Sequence, residues 1–251
     1  MKSVLYGLTV ISLLSAGCGV VGPEDSEFAR THSVPDQALQ VWIEVPEGAP
    51  PESGWPLLLF LHGAGERGKD LTQVKVHGPP RLVGELAVLR EFVLVAPLCP
   101  QDEWWEARSL KSVLDKVLET LPVDPDRLCV TGLSMGGYGT WELLAHYPDF
   151  FAAAVPICGG GDPTRLWPEV SADFDLQDLM HAKDVALRVY HGEHDSIVPV
   201  EESHLLVEAL RAEGGDVEFT IYPDGGHDSW TRTYARPELY MWMLEQRRSL
   251  P

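Results

Sequence analysis

Basic residues are scarce in this chain. Lysine and arginine number 19 among 251 residues, against 38 aspartates and glutamates, so the formal net charge at pH 7 is −19. Without residues 1–17 the charge would go from −19 to −20, because that stretch contains only one charged side chain, Lys2. Such a surface repels nucleic acid and anionic lipid head groups. We therefore expect no nucleic-acid partner.

Cysteine is also rare, with four in the chain. Apart from Cys18, each cysteine lies at or near the end of an apolar run, and none has the CxxC spacing of a zinc or redox site. The three cysteines other than Cys18 cannot all form disulfides with one another. We expect Cys99, Cys129 and Cys158 to be small core residues, although an exported location would permit one disulfide.

The chain begins with an apolar stretch that is too short to span a bilayer comfortably. Residues 4–14 follow Lys2 and precede several small residues and Cys18, an arrangement typical of a secretory leader. The small residues before the cysteine resemble the bacterial lipobox, in which that cysteine is lipidated and becomes the mature N-terminus. Ser15 stands where the lipobox usually has leucine.

We expect residues 1–17 to be a lipoprotein signal peptide and Cys18 to be the lipidation site. Residues 18–37, rich in Gly, Pro, Ser and acidic side chains, then predict a tether. The protein would be exported, and the lipid anchor would be its membrane contact. An ordinary signal peptide, giving a secreted or periplasmic protein, and a simple membrane anchor are the alternatives.

Six short apolar runs rich in Val, Leu and Phe recur in the rest of the chain. They are nearly continuous, which is typical of strands buried on both faces. The runs are residues 57–61, 92–96, 128–131, 152–157, 186–190 and 217–222. Residues 41–45, with polar Gln40 and Glu44, predict an earlier and more exposed edge strand.

Helical patterns lie between several of these runs. Apolar residues from Leu110 to Leu121 follow the spacing of one helix face, and Pro122 ends the pattern. Residues 201–213 begin with two glutamates and stop at two glycines. Alternating strands and helices predict an α/β fold: one domain over residues 38–251, with a mostly parallel sheet covered by helices on both faces. In such a sheet the chemistry belongs to loops at the carboxyl ends of the strands.

The segment GLSMGG, residues 132–137, joins the third run to a helical pattern that ends at Pro148. A strand, then Gly-x-Ser-x-Gly, then a helix is the pattern of a nucleophile elbow, where glycines allow a sharp turn and the serine is strained and exposed. The five-residue pattern alone also occurs by chance. We predict Ser134 to be a nucleophile, provided that partner residues exist.

A serine hydroxyl needs a base within hydrogen-bond distance and an acid that orients the base. The chain order expected for this fold is serine, acid, histidine. Asp195 lies in the loop after the fifth apolar run, and His227 lies in the loop after the sixth. We predict these two residues to complete a triad with Ser134.

Other residues compete for these roles. Glu193, Asp224 and Asp228 are rivals for the acid. His62 and His191 precede glycines at strand ends, which indicates that they position the backbone.

A metal site is a further interpretation of HGEHD. His191, His194 and Asp195 resemble a ligand set, yet no further His or Cys stands at supporting spacing. We expect no metal.

An acyl-transfer site also needs backbone N–H groups that bind the developing oxyanion. One donor follows the nucleophile, and the other comes from the loop after the first apolar run, which reads HGAGERG. We assign the donors to Met135 and Ala64, with Gly63 as the rival of Ala64.

Four segments together, LHGAGERG, GLSMGGYGTWELLAHYP, HGEHDSIVP and YPDGGHDSW, resemble the α/β-hydrolase superfamily. The similarity is to its phospholipase/carboxylesterase and dienelactone-hydrolase branch, and to bacterial esterases labelled predicted peptidases for their similarity to the prolyl oligopeptidase catalytic domain. It runs from Val41 to Arg248. The resemblance implies an α/β-hydrolase fold, a triad of Ser134, Asp195 and His227, hydrolysis of carboxylic esters through an acyl-enzyme, and no cofactor.

The substrate pocket is harder to locate in the sequence. Trp104, Trp105 and Trp230 are candidates for its walls, with core packing as the alternative role. Between Cys158 and Asp184 there is room for a short cap but not for a large lid. That favours small-molecule or polysaccharide-borne esters over bulk lipid.

Three other functions remain open. A polysaccharide-decorating acetyl or feruloyl esterase fits an exported location. A serine peptidase of the prolyl oligopeptidase type would use the same triad, although we expect no room here for a propeller domain. A non-catalytic surface binding module is the third, and the complete triad counts against it.

Overall fold

A computed structural model of the chain describes residues 39–248, which contain seven strands and seven α-helices. The strands are β1 Gln40–Glu44, β2 Trp55–Leu61, β3 Val93–Leu98, β4 Val123–Leu133, β5 Ala153–Ile157, β6 Ala186–Gly192 and β7 Val217–Tyr222. They form one sheet in the order β1-β3-β2-β4-β5-β6-β7. β1 is antiparallel to β3, and the other neighbours are parallel, which confirms the predicted sheet.

The helices follow the strands in alternation. They are α1 Gly78–Leu82, α2 Ala107–Thr120, α3 Met135–His146, α4 Leu176–Leu179, α5 Val200–Ala212, α6 Trp230–Tyr234 and α7 Pro237–Glu245. The predicted helices correspond to α2, α3 and α5. Between β5 and β6 the chain forms only α4 and two short 3-10 helices, Pro163–Arg165 and Met180–Asp184, so this segment is a short cap.

Both faces of the sheet are buried. In β2, Leu57, Leu59 and Leu61 pack on the side of α2, α3 and α5, whereas Leu58 and Phe60 pack on the side of α1, α6 and α7. Each fully buried side chain of this size stabilises the fold by about 1.5–3 kcal/mol. Burial on two sides explains why the central strands are continuous apolar runs.

Strand β1 lies at the edge of the sheet as predicted, and its two polar ends, Gln40 and Glu44, are more exposed than β3 and β5, which are buried throughout. Val41, Trp42 and Ile43 are only 1–3% exposed. Trp42 packs into one core and its two neighbours into the other, and the Lys75 ammonium covers the Trp42 ring at 4.8 Å from its centroid. The exposure of β1 is therefore confined to its polar ends, and its middle is part of the core.

The cysteines in the described part of the chain are core residues. Cys99, Cys129 and Cys158 are buried and unpaired. Burial raises the pKa of both the Cys99 and the Cys129 thiols to about 12, so they stay protonated at neutral pH. Cys18 lies outside the described residues. Within residues 39–248 no helix is both long and apolar enough to cross a membrane.

The first turn of α3 lies directly on the carboxyl end of β2. A Cβ at Gly136 would be 2.0 Å from the carbonyl oxygen of Leu61, closer than real Cβ contacts. We expect Gly136→Ala to lower the free energy of unfolding by ~2 kcal/mol or more, because the backbones must separate. Urea unfolding followed by circular dichroism measures the effect.

The matched control is Gly84→Ala, because a Cβ at Gly84 meets nothing within 4 Å. This variant should stay within about 0.5 kcal/mol of the natural protein. Equal unfolding midpoints for the two variants would contradict the packing argument.

Candidate active site

Ser134 occupies the turn between β4 and α3 in a strained conformation. Its backbone angles are φ 52° and ψ −116°. A positive φ is uncommon for residues other than glycine, and such strain costs about 1–3 kcal/mol. Strain of this kind is typical of functional sites, where the surrounding structure enforces it.

The glycines around Ser134 are required by close backbone contacts. A Cβ at Gly132 would lie 2.1 Å from the carbonyl oxygen of Gly136, and a Cβ at Gly137 would lie 2.6 Å from that of Ile157. The turn therefore has room for side chains only at the positions between the glycines. Ser134 occupies one of them.

The structure brings the three predicted triad residues together. The Ser134 hydroxyl oxygen lies 2.9 Å from Nε2 of His227. On the other side of the ring, Nδ1 of His227 lies 2.7 Å from Oδ2 of Asp195. Because a carboxylate only accepts hydrogen bonds, Nδ1 carries the hydrogen and Nε2 presents its lone pair to the serine.

Asp195 is held in its charged form. Burial by itself would raise the pKa of this carboxyl, but hydrogen bonds from His191, from His227 and from the backbone N–H groups of Val198 and Ile197 lower it well below its usual range. The two backbone groups donate to Oδ1 at 2.9 Å each. Oδ2 is therefore left to face the imidazole of His227.

The rivals of Asp195 lie elsewhere. Asp224 pairs with the guanidinium of Arg232 at 2.7 Å. Asp228 accepts the N–H of Thr231 at the start of α6, and Glu193 is exposed.

The two residues predicted to supply the oxyanion donors, Met135 and Ala64, line the same cavity as Ser134. Met135 is the first residue of α3, and Ala64 is the first residue of the 3-10 helix Ala64–Glu66. The first N–H groups of a helix have no acceptor within it. The Gly63 N–H instead donates to Oε2 of Glu66 at 2.9 Å. Gly63 is therefore already bonded, which argues against it as an oxyanion donor and leaves Ala64.

A buried histidine fixes the loop that contains Ala64. Nδ1 of His62 lies 2.7 Å from the carbonyl oxygen of Gly63, and Nε2 accepts the N–H of Cys99 at 3.0 Å. Burial lowers the pKa of His62 to about 4, so the ring is neutral and can accept that bond. This geometry agrees with a backbone-positioning role.

A cavity of roughly 1130 Å³ opens beside Ser134 and His227. The three tryptophans proposed for the pocket walls, Trp104, Trp105 and Trp230, line it, and Trp167 from the short cap does too. Trp105 is also a core residue, only 3% exposed, and its ring N–H donates to the carbonyl oxygen of His62. The Trp230 ring meets the His227 ring edge to face, with centroids 5.3 Å apart.

The lining of this cavity is strongly acidic, which the sequence did not predict. Of the 23 lining residues seven are acidic, and Arg67 is the one Lys or Arg among them. The acidic residues are Glu66, Asp102, Glu103, Glu106, Glu142, Glu169 and Asp173. Glu142 is a buried member of this group, and burial raises the pKa of its carboxyl to about 7. Its side chain accepts the N–H of Ala107 at the start of α2.

In the described part of the chain, His191, His194 and Asp195 are not grouped as the ligands of one metal ion. His191 is fully buried, whereas His194 is exposed. Ligand atoms of Cys158, Asp195 and His227 do lie within 4.8 Å of one another. Burial raises the pKa of the Cys158 thiol, which keeps it protonated. Within this grouping Asp195 and His227 already bond to each other at 2.7 Å.

The chain is similar in sequence to known hydrolases. A sequence model described as the prolyl oligopeptidase family matches residues 104–246. Poly(3-hydroxyalkanoate) depolymerase C of Paucimonas lemoignei is 29% identical over 176 residues, which are 63% of this chain and 39% of that protein. A putative carboxymethylenebutenolidase of Salmonella typhi is 32% identical over 111 residues, 41% of this chain and 37% of that protein. The matched part of the chain thus spans about two fifths of the length of these two relatives.

A solved structure shares both fold and sequence features with this chain. The crystal structure of a thermostable esterase superposes with a TM-score of 0.71 and 32% sequence identity. The match covers 88% of this chain and 63% of that one. It supports the α/β-hydrolase fold expected from the sequence.

Proposed function

The chain belongs to the prolyl oligopeptidase family, and on this basis we propose that it hydrolyses carboxylic esters through an acyl-enzyme on Ser134. The observation that carries the proposal is the continuous hydrogen-bonded path from Ser134 through His227 to Asp195, beside a cavity. The similarity to a thermostable esterase supports esters as the substrates.

In the first step the Ser134 oxygen attacks the carbonyl carbon of the ester, and its proton passes to Nε2 of His227. The tetrahedral oxyanion accepts hydrogen bonds from the N–H groups of Ala64 and Met135. The charged Asp195 stabilises the imidazolium that forms. His227 then donates the proton to the leaving alkoxide, and the alcohol departs.

In the second step water attacks the acyl-enzyme. His227 takes a proton from the water, and a second tetrahedral oxyanion forms against the same two N–H groups. When it collapses, the proton returns from His227 to the Ser134 oxygen and the carboxylic acid is released.

The strain at Ser134 supports catalysis over a binding role. A surface binding module would gain nothing from a serine at φ 52°, which costs about 1–3 kcal/mol. A peptidase would use the same residues, and the rates on amide substrates would distinguish it.

The charge of the cavity narrows the substrate class. Besides Glu142, which its pKa of about 7 leaves only partly charged at neutral pH, six acidic side chains and one guanidinium line the cavity, so it repels anions and concentrates cations. The tryptophan rings add surfaces on which an ammonium group or an uncharged group can lie. We therefore propose neutral or cationic esters, small or borne on a polysaccharide, as substrates.

Export through the leader in residues 1–17 and anchoring through lipidated Cys18 remain part of this proposal. They rest on the sequence alone, because these residues lie outside the described part. Residues 18–37 would be the tether and residues 38–251 the catalytic domain. Cleavage and lipidation are tested by mass spectrometry of the mature protein.

Ser134→Ala should remove nearly all turnover, by about 10³-fold or more, because the nucleophile is lost. Initial rates on p-nitrophenyl esters from acetate to palmitate measure the effect, and circular dichroism checks the fold. Ser53→Ala, which changes an exposed serine before β2, is the control and should keep wild-type rates. A Ser134→Ala protein that keeps a tenth of the activity would show that another group is the nucleophile.

Ala64→Pro tests the oxyanion donor by removing one N–H group. Proline suits the first position of this helical turn, because Gly63 before it is extended, with φ −81° and ψ −179°. We expect kcat to fall by about 10²–10³-fold, the usual effect of losing one such donor, with KM little changed. Ala64→Gly keeps the N–H and is the matched control. An unchanged kcat in the proline variant would eliminate Ala64 as a donor.

Three thioesters of one acyl group test the charge preference: acetylthiocholine, its uncharged 3,3-dimethylbutyl analogue, and the acetyl ester of 2-mercaptoethanesulfonate. At low salt we expect kcat/KM to be highest for the cation and lowest for the anion, by about 10-fold or more. High salt should reduce the difference, because it screens the carboxylates. Equal values, or a preference for the sulfonate, would refute the charge argument.

A further inference from the structure

A second buried histidine contacts the acid of the triad from behind. His191 belongs to β6 and its side chain is completely buried. Its Nε2 lies 3.3 Å from Oδ2 of Asp195, the same oxygen that accepts His227, and 2.9 Å from the carbonyl oxygen of Val198. Its Nδ1 lies 2.8 Å from the hydroxyl of Ser203 on α5.

The direction of these bonds follows from the atoms involved. Nε2 of His191 faces a carboxylate oxygen and a carbonyl oxygen, and both can only accept. Nε2 therefore carries a hydrogen and shares it between Asp195 and Val198. Nδ1 of the neutral ring then accepts, and the one hydrogen of the fully buried Ser203 hydroxyl is shared between this nitrogen at 2.8 Å and the carbonyl oxygen of Gly159 at 3.0 Å. The imidazole is thus fixed at both ends.

These contacts bridge the turn that contains Asp195. The two residues between Asp195 and Val198, Ser196 and Ile197, are exposed. Their side chains therefore do little to fix the turn in the core. His191 bonds to the carboxylate at its start and to a carbonyl at its end. Ser203 then ties the same imidazole to α5 and, through Gly159, to the chain after β5.

We propose that His191 is a positioning residue that holds Oδ2 of Asp195 against His227. The proposal rests on the function proposed above. His191 is not among the residues that line the cavity, so we expect it to act through Asp195 rather than on the substrate. It acts by fixing the rotation of the carboxylate, whose other oxygen is fixed by two N–H groups of the turn. A misplacement of about 1 Å in such a group can cost 10²-fold in rate.

His191→Leu removes the donor while filling the space, and His191→Gln restores an N–H donor on a side chain of similar length. For the leucine variant we expect kcat to fall by about 10²-fold with KM within about 2-fold. The glutamine variant should recover to within about 5-fold of wild type. His204→Leu, which changes an exposed histidine on the same helix as Ser203, is the control and should keep wild-type rates.

The pH profile of kcat/KM separates positioning from loss of stability. A displaced Asp195 stabilises the imidazolium form of His227 less, so the acid limb should move to lower pH in His191→Leu and return in His191→Gln. Ser203→Ala should move it in the same direction by a smaller amount. A lower activity that follows thermal stability, with the acid limb unmoved, would overturn the proposal.

A measurement without turnover separates this proposal from the function. The proton between Nδ1 of His227 and Asp195 is followed by its downfield NMR resonance in wild type and variants. We expect the resonance to shift or to be lost in His191→Leu and to remain in His191→Gln and His204→Leu. An unchanged resonance in His191→Leu overturns the positioning role. If the resonance responds but no ester is hydrolysed, the proposed function fails while the positioning of His227 by His191 stands.

Discussion

The site depends on the approach of three backbones at one turn. The end of β4, the start of α3 and the end of β2 come so close that Gly132 and Gly136 leave no space for a Cβ. This contact forces Ser134 to a positive φ and directs its side chain out of the turn. The sheet beneath is buried on both faces. Burial of one large core side chain stabilises the fold by about as much free energy as the backbone strain at Ser134 costs, so the core can maintain the strained turn. The other groups of the site are arranged around this fixed point.

The two sides of Ser134 are supported in a similar way. On one side His62 follows β2 and holds the loop of Ala64, and on the other His191 lies at the end of β6 and contacts Asp195. Each histidine precedes a glycine, is almost completely buried, and bonds to backbone carbonyl oxygens. Neither lines the cavity. Rings in the core thus set the geometry of loops that face the solvent, so the precision of the site comes from the interior of the sheet.

Much of the fold could be predicted because its signals are local. Buried parallel strands appear as continuous apolar runs, and the elbow needs glycines at fixed spacing around Ser134. Other features arise only in three dimensions. Lys75 lies over the ring of Trp42, the Gly63 N–H bonds to the side chain of Glu66, and the acidic cavity gathers side chains from separate loops. Sequence spacing does not reveal such contacts, because the residues involved are brought together only by the fold. The catalytic roles themselves remain predictions until the variants are measured.

The buried, unpaired cysteines have a consequence for how the protein matures. Cys99, Cys129 and Cys158 lie in the core with protonated thiols, and no disulfide links the described residues. Folding of this part of the chain therefore requires no oxidant and no thiol exchange. The native arrangement of these three thiols contains no covalent link that a change of redox potential could break.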